Sequence, residues 1–183
     1  LLQGPYGGGG MMSTGIGGEI SLSQPYGTAP WNYSGTESVT EIDGTVIDWV
    51  LVELRYDINT IAEQKAALLL DDGPIVQHNQ MDHGLHFDNT PHGSTYYIVI
   101  HHRNHMPVMT AVSTAFDGSL IDFTDETICY GSPNAEVELE TGIYGMIAGD
   151  INHNGILQYS GPGNDRGEII SKIIDLGGEF ISS

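Results

Sequence analysis

Oxygen-bearing side chains recur at every second position in one segment late in the chain, next to a glycine. Asp150, Asn152 and Asn154 occupy the first, third and fifth places of an EF-hand-type loop, and Gly155 supplies the sharp turn at the sixth. The main-chain carbonyl of Ile156 falls at the seventh place. Because Ca²⁺ is a hard cation that binds six to eight oxygens, this spacing predicts a calcium-binding loop.

The ligand that closes this loop is displaced from its usual place. The twelfth position holds Gly161 rather than an acidic residue, because an insertion over residues 159–164 delays the next carboxylate to Asp165. Asp165 is therefore the predicted closing ligand, and Glu168 is the alternative. A polar turn rich in Asn and Gly that binds no ion has a similar composition. The spacing of the oxygen ligands, rather than the composition, therefore carries the prediction.

A short amphipathic helix is predicted directly after the loop. Asp165 and Glu168 form an N-capping pair, and Gly177 is placed to end the helix. The helix carries one apolar stripe, which must pack on another apolar surface. The stripe consists of Ile169, Ile170, Ile173 and Ile174.

The loop and helix together resemble the dockerin-like calcium repeats found near the C-terminal ends of large secreted bacterial surface proteins. The resemblance covers residues 150–176 and rests on the ligand spacing. It implies calcium as the bound ion and an extracellular or cell-surface location. Dockerin domains normally carry two such loop-helix units, whereas one is present in this sequence.

The upstream part of the chain resembles a module that often precedes these repeats in type IX-secreted, adhesin-like surface proteins. The similarity runs in order along nearly the whole sequence. It implies an extracellular β-sandwich with no established catalytic activity. The segments that carry it are LSQPY at 22–26, APWNYSGTE at 29–37, DWVLVELR at 48–55, KAALLL at 65–70 and HRNH at 102–105.

Acidic residues dominate the charge of the 183-residue chain. Five Lys and Arg residues stand against 24 Asp and Glu residues, which gives a formal net charge of -19. This excess repels phosphate backbones and anionic lipid surfaces, so nucleic acid is not an expected partner. No apolar run approaches the ~20 residues of a membrane span, so membrane insertion is not expected. The single cysteine, Cys129, excludes an internal disulfide, and bound calcium would reduce the self-repulsion.

The pattern of apolar residues upstream of the loop is typical of β-strands. Short runs separated by Gly, Asp, Asn and Pro predict a mainly β protein, an antiparallel β-sandwich of jelly-roll or Ig-like type. Both faces of Val46–Arg55 are apolar in the middle, which predicts a central strand covered on each side. Residues 61–70 are Ala-rich and ambiguous, but the turn that follows them favours a strand over a helix. The other predicted strands are 19–22, 75–76, 95–102, 108–115, 120–123 and 136–139.

Two parts of the chain are expected. Residues 1–148 are predicted to form the β-sandwich domain, and residues 149–183 the calcium loop and helix packed on it through an apolar connection. Leu1, Leu2 and Tyr6 form a candidate strand that precedes the tetraglycine tether at 7–10. Such a strand can pair with a neighbouring copy and generate a filament, or it can pair within its own sandwich.

Aromatic residues offer a candidate glycan-binding surface. Trp31 and Tyr33 could stack on sugar rings, and the alternative is that they pack within the protein. Trp49 lies in the predicted central strand and is expected in the core.

Histidines are concentrated in one region and raise the question of a transition-metal site. Seven of the eight lie in the segment 78–105, and neutral imidazole is a common ligand of Zn²⁺ and Cu²⁺. His102 and His105 are three residues apart and would project to opposite faces of a continued strand, which disfavours a shared metal. The histidines are His78, His83, His86, His92, His101, His102 and His105.

No motif for a catalytic nucleophile or a phosphate-binding loop is present in the sequence, so no enzymatic activity is expected. The sequence therefore predicts a secreted, calcium-stabilised structural or adhesive protein, which assembles by exchange of the N-terminal strand. The alternative is a carbohydrate-binding module of a larger secreted protein. A third hypothesis, a histidine-dependent metalloenzyme, requires zinc or copper in the 78–105 segment.

Overall fold

A computed structural model describes residues 1–15, 17–79, 84–91 and 93–175. The chain is mainly β, and its paired strands are antiparallel, as the sequence predicts. Two short 3₁₀ turns occupy Gly17–Glu19 and Glu126–Ile128. The strands and the helix are β1 Tyr6–Gly8, β2 Met11–Met12, β3 Val46–Arg55, β4 Ile61–Leu70, β5 Ile75–Val76, β6 Thr95–His102, β7 His105–Met109, β8 Thr114–Ala115, β9 Val137–Glu140, β10 Ile143–Gly145 and α1 Asp165–Asp175.

A six-stranded sheet is the centre of the fold. Its strand order is β5-β4-β3-β6-β7, and β8 pairs with β6 beside this path. Every residue of β3 from Val46 to Leu54 is buried, which confirms the predicted central strand covered on both faces. The predicted strand over residues 61–70 is also confirmed, because β4 pairs with β3 along its length.

The two faces of this sheet pack against different parts of the chain. On one face, Trp49 and Leu51 pack with Tyr26, which comes from the segment that precedes β3. The Tyr26 hydroxyl donates to the Trp49 carbonyl at 2.7 Å, and the Trp49 indole nitrogen donates to the Ser21 carbonyl at 2.8 Å. The other face carries Val50, which packs with side chains from the hairpin β1-β2, with Met146 directly after β10, and with side chains from surrounding loops.

The N-terminal segment packs and pairs within its own chain. Leu2 is 2% exposed and forms a parallel bridge with Met146. The Gln3 N–H donates to the Met146 carbonyl at 3.1 Å, and the Met146 N–H donates to the Leu1 carbonyl at 2.9 Å. Tyr6 begins β1, which pairs with β2.

The tetraglycine run is a hairpin turn and not the predicted tether. Gly8, Gly9 and Gly10 have φ values of 101°, 63° and 77°. Only glycine adopts such angles without steric cost, so the run reverses the chain between β1 and β2.

Local hydrogen bonds replace two of the predicted strands. Residues 120–123 form no strand, and the Asp122 carboxylate accepts from the Thr124 N–H at 2.9 Å in a turn that competes with sheet pairing. The predicted strand over 19–22 is absent as well, because the chain leaves the 3₁₀ turn at Glu19 and then pairs through an isolated bridge between Ser23 and Ser38, beside which the Val39 N–H donates to the Leu22 carbonyl at 2.8 Å. The predicted strand over 108–115 is divided into β7 and β8, because the Ala111 N–H donates to the Ile128 carbonyl instead of to the sheet.

The predicted helix is present as α1, but its apolar stripe does not pack as expected. Ile169, Ile173 and Ile174 are 45%, 39% and 55% exposed. The buried residue of α1 is Asp165, so the helix is anchored at its first turn. The predicted end at Gly177 lies outside the described residues. Within the part of the chain that the structure describes, no helix is long and apolar enough to cross a membrane.

Candidate calcium loop and histidine cleft

Asp150 organises the start of the candidate loop. Its side chain is buried, and the residue is 1% exposed. One carboxylate oxygen accepts from the Asn154 N–H at 3.1 Å, and the other accepts from the Gly155 N–H at 3.1 Å. The carboxylate therefore faces the interior of the turn that follows it, where a first-position ligand is expected.

Asp165 meets the same loop from the first turn of α1. Its Oδ2 accepts from the Gln158 N–H at 2.9 Å, and its Oδ1 accepts from the Ile151 N–H at 2.9 Å. These backbone donors, with Gln158 first, hold the pKa of Asp165 below its usual value. Glu168 is exposed on the helix. Of the two acids that the sequence offers as the closing ligand, Asp165 is the one that contacts the loop.

The backbone of the loop alternates between ordinary and left-handed residues. His153 and Gly155 have φ values of 58° and 74°. Each left-handed residue turns the chain sharply. The Asn152 side-chain nitrogen donates to the Gly163 carbonyl at 2.6 Å, and the Asn154 side-chain oxygen accepts from the Ile156 N–H at 2.8 Å.

The charged donors of this loop are two carboxylates. Asp150 and Asp165 are both buried, and within the described residues neither has an ion pair with a basic side chain. A carboxylate oxygen that accepts one N–H retains capacity for a second partner. In the described ranges no group of three or more His, Cys, Asp or Glu side chains is arranged to hold a metal. A cation in this loop would therefore also need the oxygens of Asn152, Asn154 and Ile156, as the sequence predicts.

The loop is joined to the main sheet by rings and by backbone. The rings of His153 and Trp31 lie 4.4 Å apart between centroids, and the Trp31 ring meets Tyr26 edge-on at 4.9 Å. The Gly149 N–H donates to the Asn104 carbonyl at 2.8 Å. Trp31 thus links the core of the sheet to the loop.

The two residues predicted as a sugar-stacking surface are engaged within the chain. Trp31 contacts protein rings on two sides, and the Tyr33 hydroxyl donates to the Glu37 carboxylate. Burial, with the Glu37 hydrogen bond, raises the pKa of Tyr33. Both residues therefore pack within the protein, which is the alternative to a sugar-stacking surface.

His102 and His105 face each other across a tight hairpin. Arg103 and Asn104 form the turn between β6 and β7, and the two histidines are directly paired. Their ring centroids lie 4.6 Å apart. The prediction that they project to opposite faces is wrong, because the strand reverses between them instead of continuing.

Asp48 anchors this histidine pair. Its Oδ2 lies 3.1 Å from Nε2 of His102, and the guanidinium of Arg103 contacts both of its oxygens, at 2.7 and 2.6 Å. Burial alone would raise the pKa of Asp48, but the hydrogen bonds and charges of His102 and Arg103 outweigh it and lower that pKa.

The hydrogen bonds assign the tautomers of the two histidines. The Asn104 N–H donates to Nδ1 of His102 at 3.2 Å, so this nitrogen is an acceptor and Nε2 carries the proton toward Asp48. Nδ1 of His105 lies 2.9 Å from the same Nδ1 and must be the donor. Burial lowers the pKa of His105 to about 3, with a smaller contribution from His102. Neutral His105 therefore carries no proton on Nε2.

The remaining histidines of the 78–105 segment are dispersed. The His78 ring lies 6.5 Å from that of Trp49, and His86 is exposed near Asp88. His83 and His92 lie outside the described residues. Among the described histidines of this segment, no three form a group that could hold a metal.

A cleft of about 430 Å³ lies between the loop and the exposed end of the main sheet. Deep in it, Glu53 is 3% exposed and bonds Arg55, Gln64 at 2.6 Å and His101 at 3.3 Å. Burial opposes ionisation of Glu53, but these partners outweigh it and lower its pKa to about 2. The lining residues include Trp31, Glu53, Arg55, Gln64, His101, His105, Asp150 and Asn154.

The sequence analysis did not single out Asp48 and Glu53 as site residues. Both are acidic residues inside a ten-residue strand that is otherwise largely apolar. Since an acid is rarely buried without a partner, their position was the signal that could have identified them. Their partners, His102 and His101, come from a strand more than forty positions later, which spacing alone does not reveal.

Neutral His105 makes the fold sensitive to mild acid. Its pKa is about 3 in the folded state, against an ordinary value of 6.5. Between these pH values the unfolded chain binds a proton that the folded chain does not, so stability falls as the pH is lowered. We expect a loss of up to about 1.4 kcal/mol per pH unit from this residue.

Urea unfolding at neutral and mildly acidic pH measures this effect. His105→Phe is expected to flatten the dependence on pH, whereas His86→Phe, at an exposed position, should keep the slope of the wild-type chain. Equal slopes in all three proteins would show that His105 is not the responsible group.

Comparison of the chain with protein-family models, with curated proteins and with solved structures finds no match.

Proposed function

We propose that the protein is a secreted, non-catalytic structural or adhesive module at the cell surface or outside the cell, stabilised by calcium. Its body is a β-sandwich in which one face of the six-stranded sheet packs against the hairpin β1-β2 and the segment around Met146. The observation that carries the proposal is the loop itself. Asp150 and Asp165, two buried carboxylates separated by fourteen intervening residues, hold the backbone of one turn from opposite ends.

Calcium is the ion that suits this arrangement. Burying two carboxylates in one loop without a basic partner is costly, and a divalent cation would offset that cost. The net charge of -19 adds a general repulsion that the same cation would reduce. Amide and main-chain oxygens complete a set that a hard ion prefers over a softer one.

Thermal unfolding with and without a chelator tests the proposal. An ion that binds only the folded state at about 100 times its dissociation constant stabilises it by about 2.7 kcal/mol. For a chain of this length, each kcal/mol raises the melting temperature by about 2–4 °C, so removal of calcium by EGTA is expected to lower it by about 5–10 °C. Readdition of Ca²⁺, but not of an equal concentration of Mg²⁺, should restore the value, because Mg²⁺ demands a tighter octahedral site. An unchanged melting temperature after chelation would contradict the proposal.

For assembly, we propose that copies exchange the N-terminal segment, so that Leu2 of one copy pairs with Met146 of the next. The space for this segment is narrow, since a Cβ added at Gly145 would meet the Leu1 carbonyl oxygen at 2.9 Å. Within one chain the segment occupies this space itself, and exchange would reproduce the same contacts between copies.

An engineered cysteine pair distinguishes the two arrangements. Leu2 and Met146 are partners in a parallel bridge, and both side chains are buried, so Leu2→Cys with Met146→Cys places a thiol on each of two paired residues. In assembled material, exchange is expected to give a ladder of covalently linked chains on non-reducing electrophoresis. A monomer band from assembled material would exclude exchange, and either single variant alone is the control for random oxidation.

A further inference from the structure

The cleft between the loop and the sheet is built from four separate parts of the chain, within residues 30–31, 53–64, 101–107 and 150–155. Arg55 and Gln64 line its floor from β3 and β4, and His105 lines it from β7. Asp150 and Asn154 of the candidate calcium loop form the opposite wall. Its volume of about 430 Å³ falls within the range of small-molecule sites.

The charged groups of the floor are already paired. Glu53 is bound by Arg55 and His101, and His102, which also lines the cleft, is bound by Asp48 behind it. A charged ligand would have to compete with these pairs in a partly buried site, which is costly. The floor therefore favours a neutral polar ligand over an ion.

One imidazole nitrogen in the lining has no partner among the described residues. It is Nε2 of His105, and the atom is buried. Buried polar atoms normally have a partner, so this nitrogen calls for a group that completes it. Nε2 of His105 carries no proton, because its Nδ1 is the donor to His102. Its missing partner must therefore be a hydrogen-bond donor, as a hydroxyl group is and a carboxylate or phosphate is not.

We propose that this cleft binds a neutral saccharide, with a sugar hydroxyl donating to His105 and others reaching Gln64 and Asn154. Trp31, one of the two aromatic residues that the sequence suggested, lines the cleft, whereas Tyr33 does not, and the polar groups of the cleft hold the sugar. Since Asp150 and Asn154 form one wall, occupancy of the loop by calcium sets the shape of the site. This dependence rests on the proposed calcium binding.

An array of neutral oligosaccharides, probed with the full chain in calcium buffer, tests the inference. Calorimetry with a retained sugar then compares variants whose folding is checked by circular dichroism. His105→Phe keeps a ring but removes the acceptor, and Gln64→Ala removes a half-buried amide. Each is expected to weaken binding by about tenfold or more, equivalent to one hydrogen bond of about 1.4 kcal/mol. Gln77→Ala, which removes an amide away from the cleft, is the matched control and should bind as the wild type does.

Three results would overturn the inference. These are no retained neutral sugar, binding that both cleft variants leave unchanged, or zinc binding that depends on His101 and His105 in place of sugar binding. If EGTA does not weaken sugar binding, calcium in the loop does not set the shape of the cleft. The effect of EGTA on the melting temperature is measured without sugar. A calcium-stabilised protein that retains no sugar would therefore contradict this inference and leave the proposed function intact.

Discussion

Replacing Asp48 by alanine is expected to lower the free energy of unfolding by about 3–5 kcal/mol, which is the cost of removing one partner from a buried charged pair. Asp48 is 4% exposed and is the acceptor for both His102 and Arg103. Without it, the guanidinium of Arg103 remains partly buried with no counter-charge. The proton on Nε2 of His102 also loses its acceptor, and a buried donor without a partner is costly in itself.

Urea unfolding of five proteins separates this loss from a general effect of removing an acid: the wild type, Asp48→Ala, Arg103→Ala, their double variant and Asp72→Ala. Asp72→Ala removes an exposed carboxylate and is expected to change stability by less than about 0.5 kcal/mol. The double variant Asp48→Ala with Arg103→Ala should recover part of the loss, because the unpaired cation is removed as well. A double variant as unstable as the sum of its single variants would show that Asp48 and Arg103 do not interact energetically.

The main sheet could be predicted because the apolar residues within each of its long strands indicate a strand. Val46–Arg55 is apolar on both faces, so its length and its central position follow from the residues alone. The composition of residues 61–70 is compatible with a helix or a strand, and the turn that follows them correctly indicates a strand. Strands at 19–22 and 120–123 were predicted from short apolar runs, and runs of that length do not outweigh nearby Asx turns and 3₁₀ turns.

The candidate sites differ in how far they could be predicted. The loop is local in sequence, so the spacing from Asp150 to Asn154 specifies its turn, and Asp165 follows as the next acid. The cleft is not local, since Glu53 and His101 meet only after β3 pairs with β6. The contact between Trp31 and His153 joins residues more than a hundred positions apart, and no periodicity in the sequence encodes it.

Substitution of the loop acids is expected to abolish the dependence of stability on calcium. In Asp150→Asn and in Asp165→Asn, the rise in melting temperature on adding Ca²⁺, about 5–10 °C in the unmodified chain, should fall to near zero. Each variant removes one of two carboxylates and keeps a side chain of the same size. Asp72→Asn is the matched control, because it removes an exposed acid elsewhere, and it should retain the full rise.

The measured quantity must be the difference between calcium and chelator, because both acids also bind the loop backbone directly. Asp165 accepts from the N–H groups of Ile151, Asn152 and Gln158, so Asp165→Asn is expected to lower the melting temperature even in EGTA. Glu168→Gln identifies the closing ligand by the same measurement. A full calcium response in Glu168→Gln, together with none in Asp165→Asn, is the result that the hydrogen bonds of Asp165 predict. A full calcium response in Asp165→Asn, together with none in Glu168→Gln, would identify Glu168 as the closing ligand. A full response in all the loop variants would show that calcium binds elsewhere in the chain.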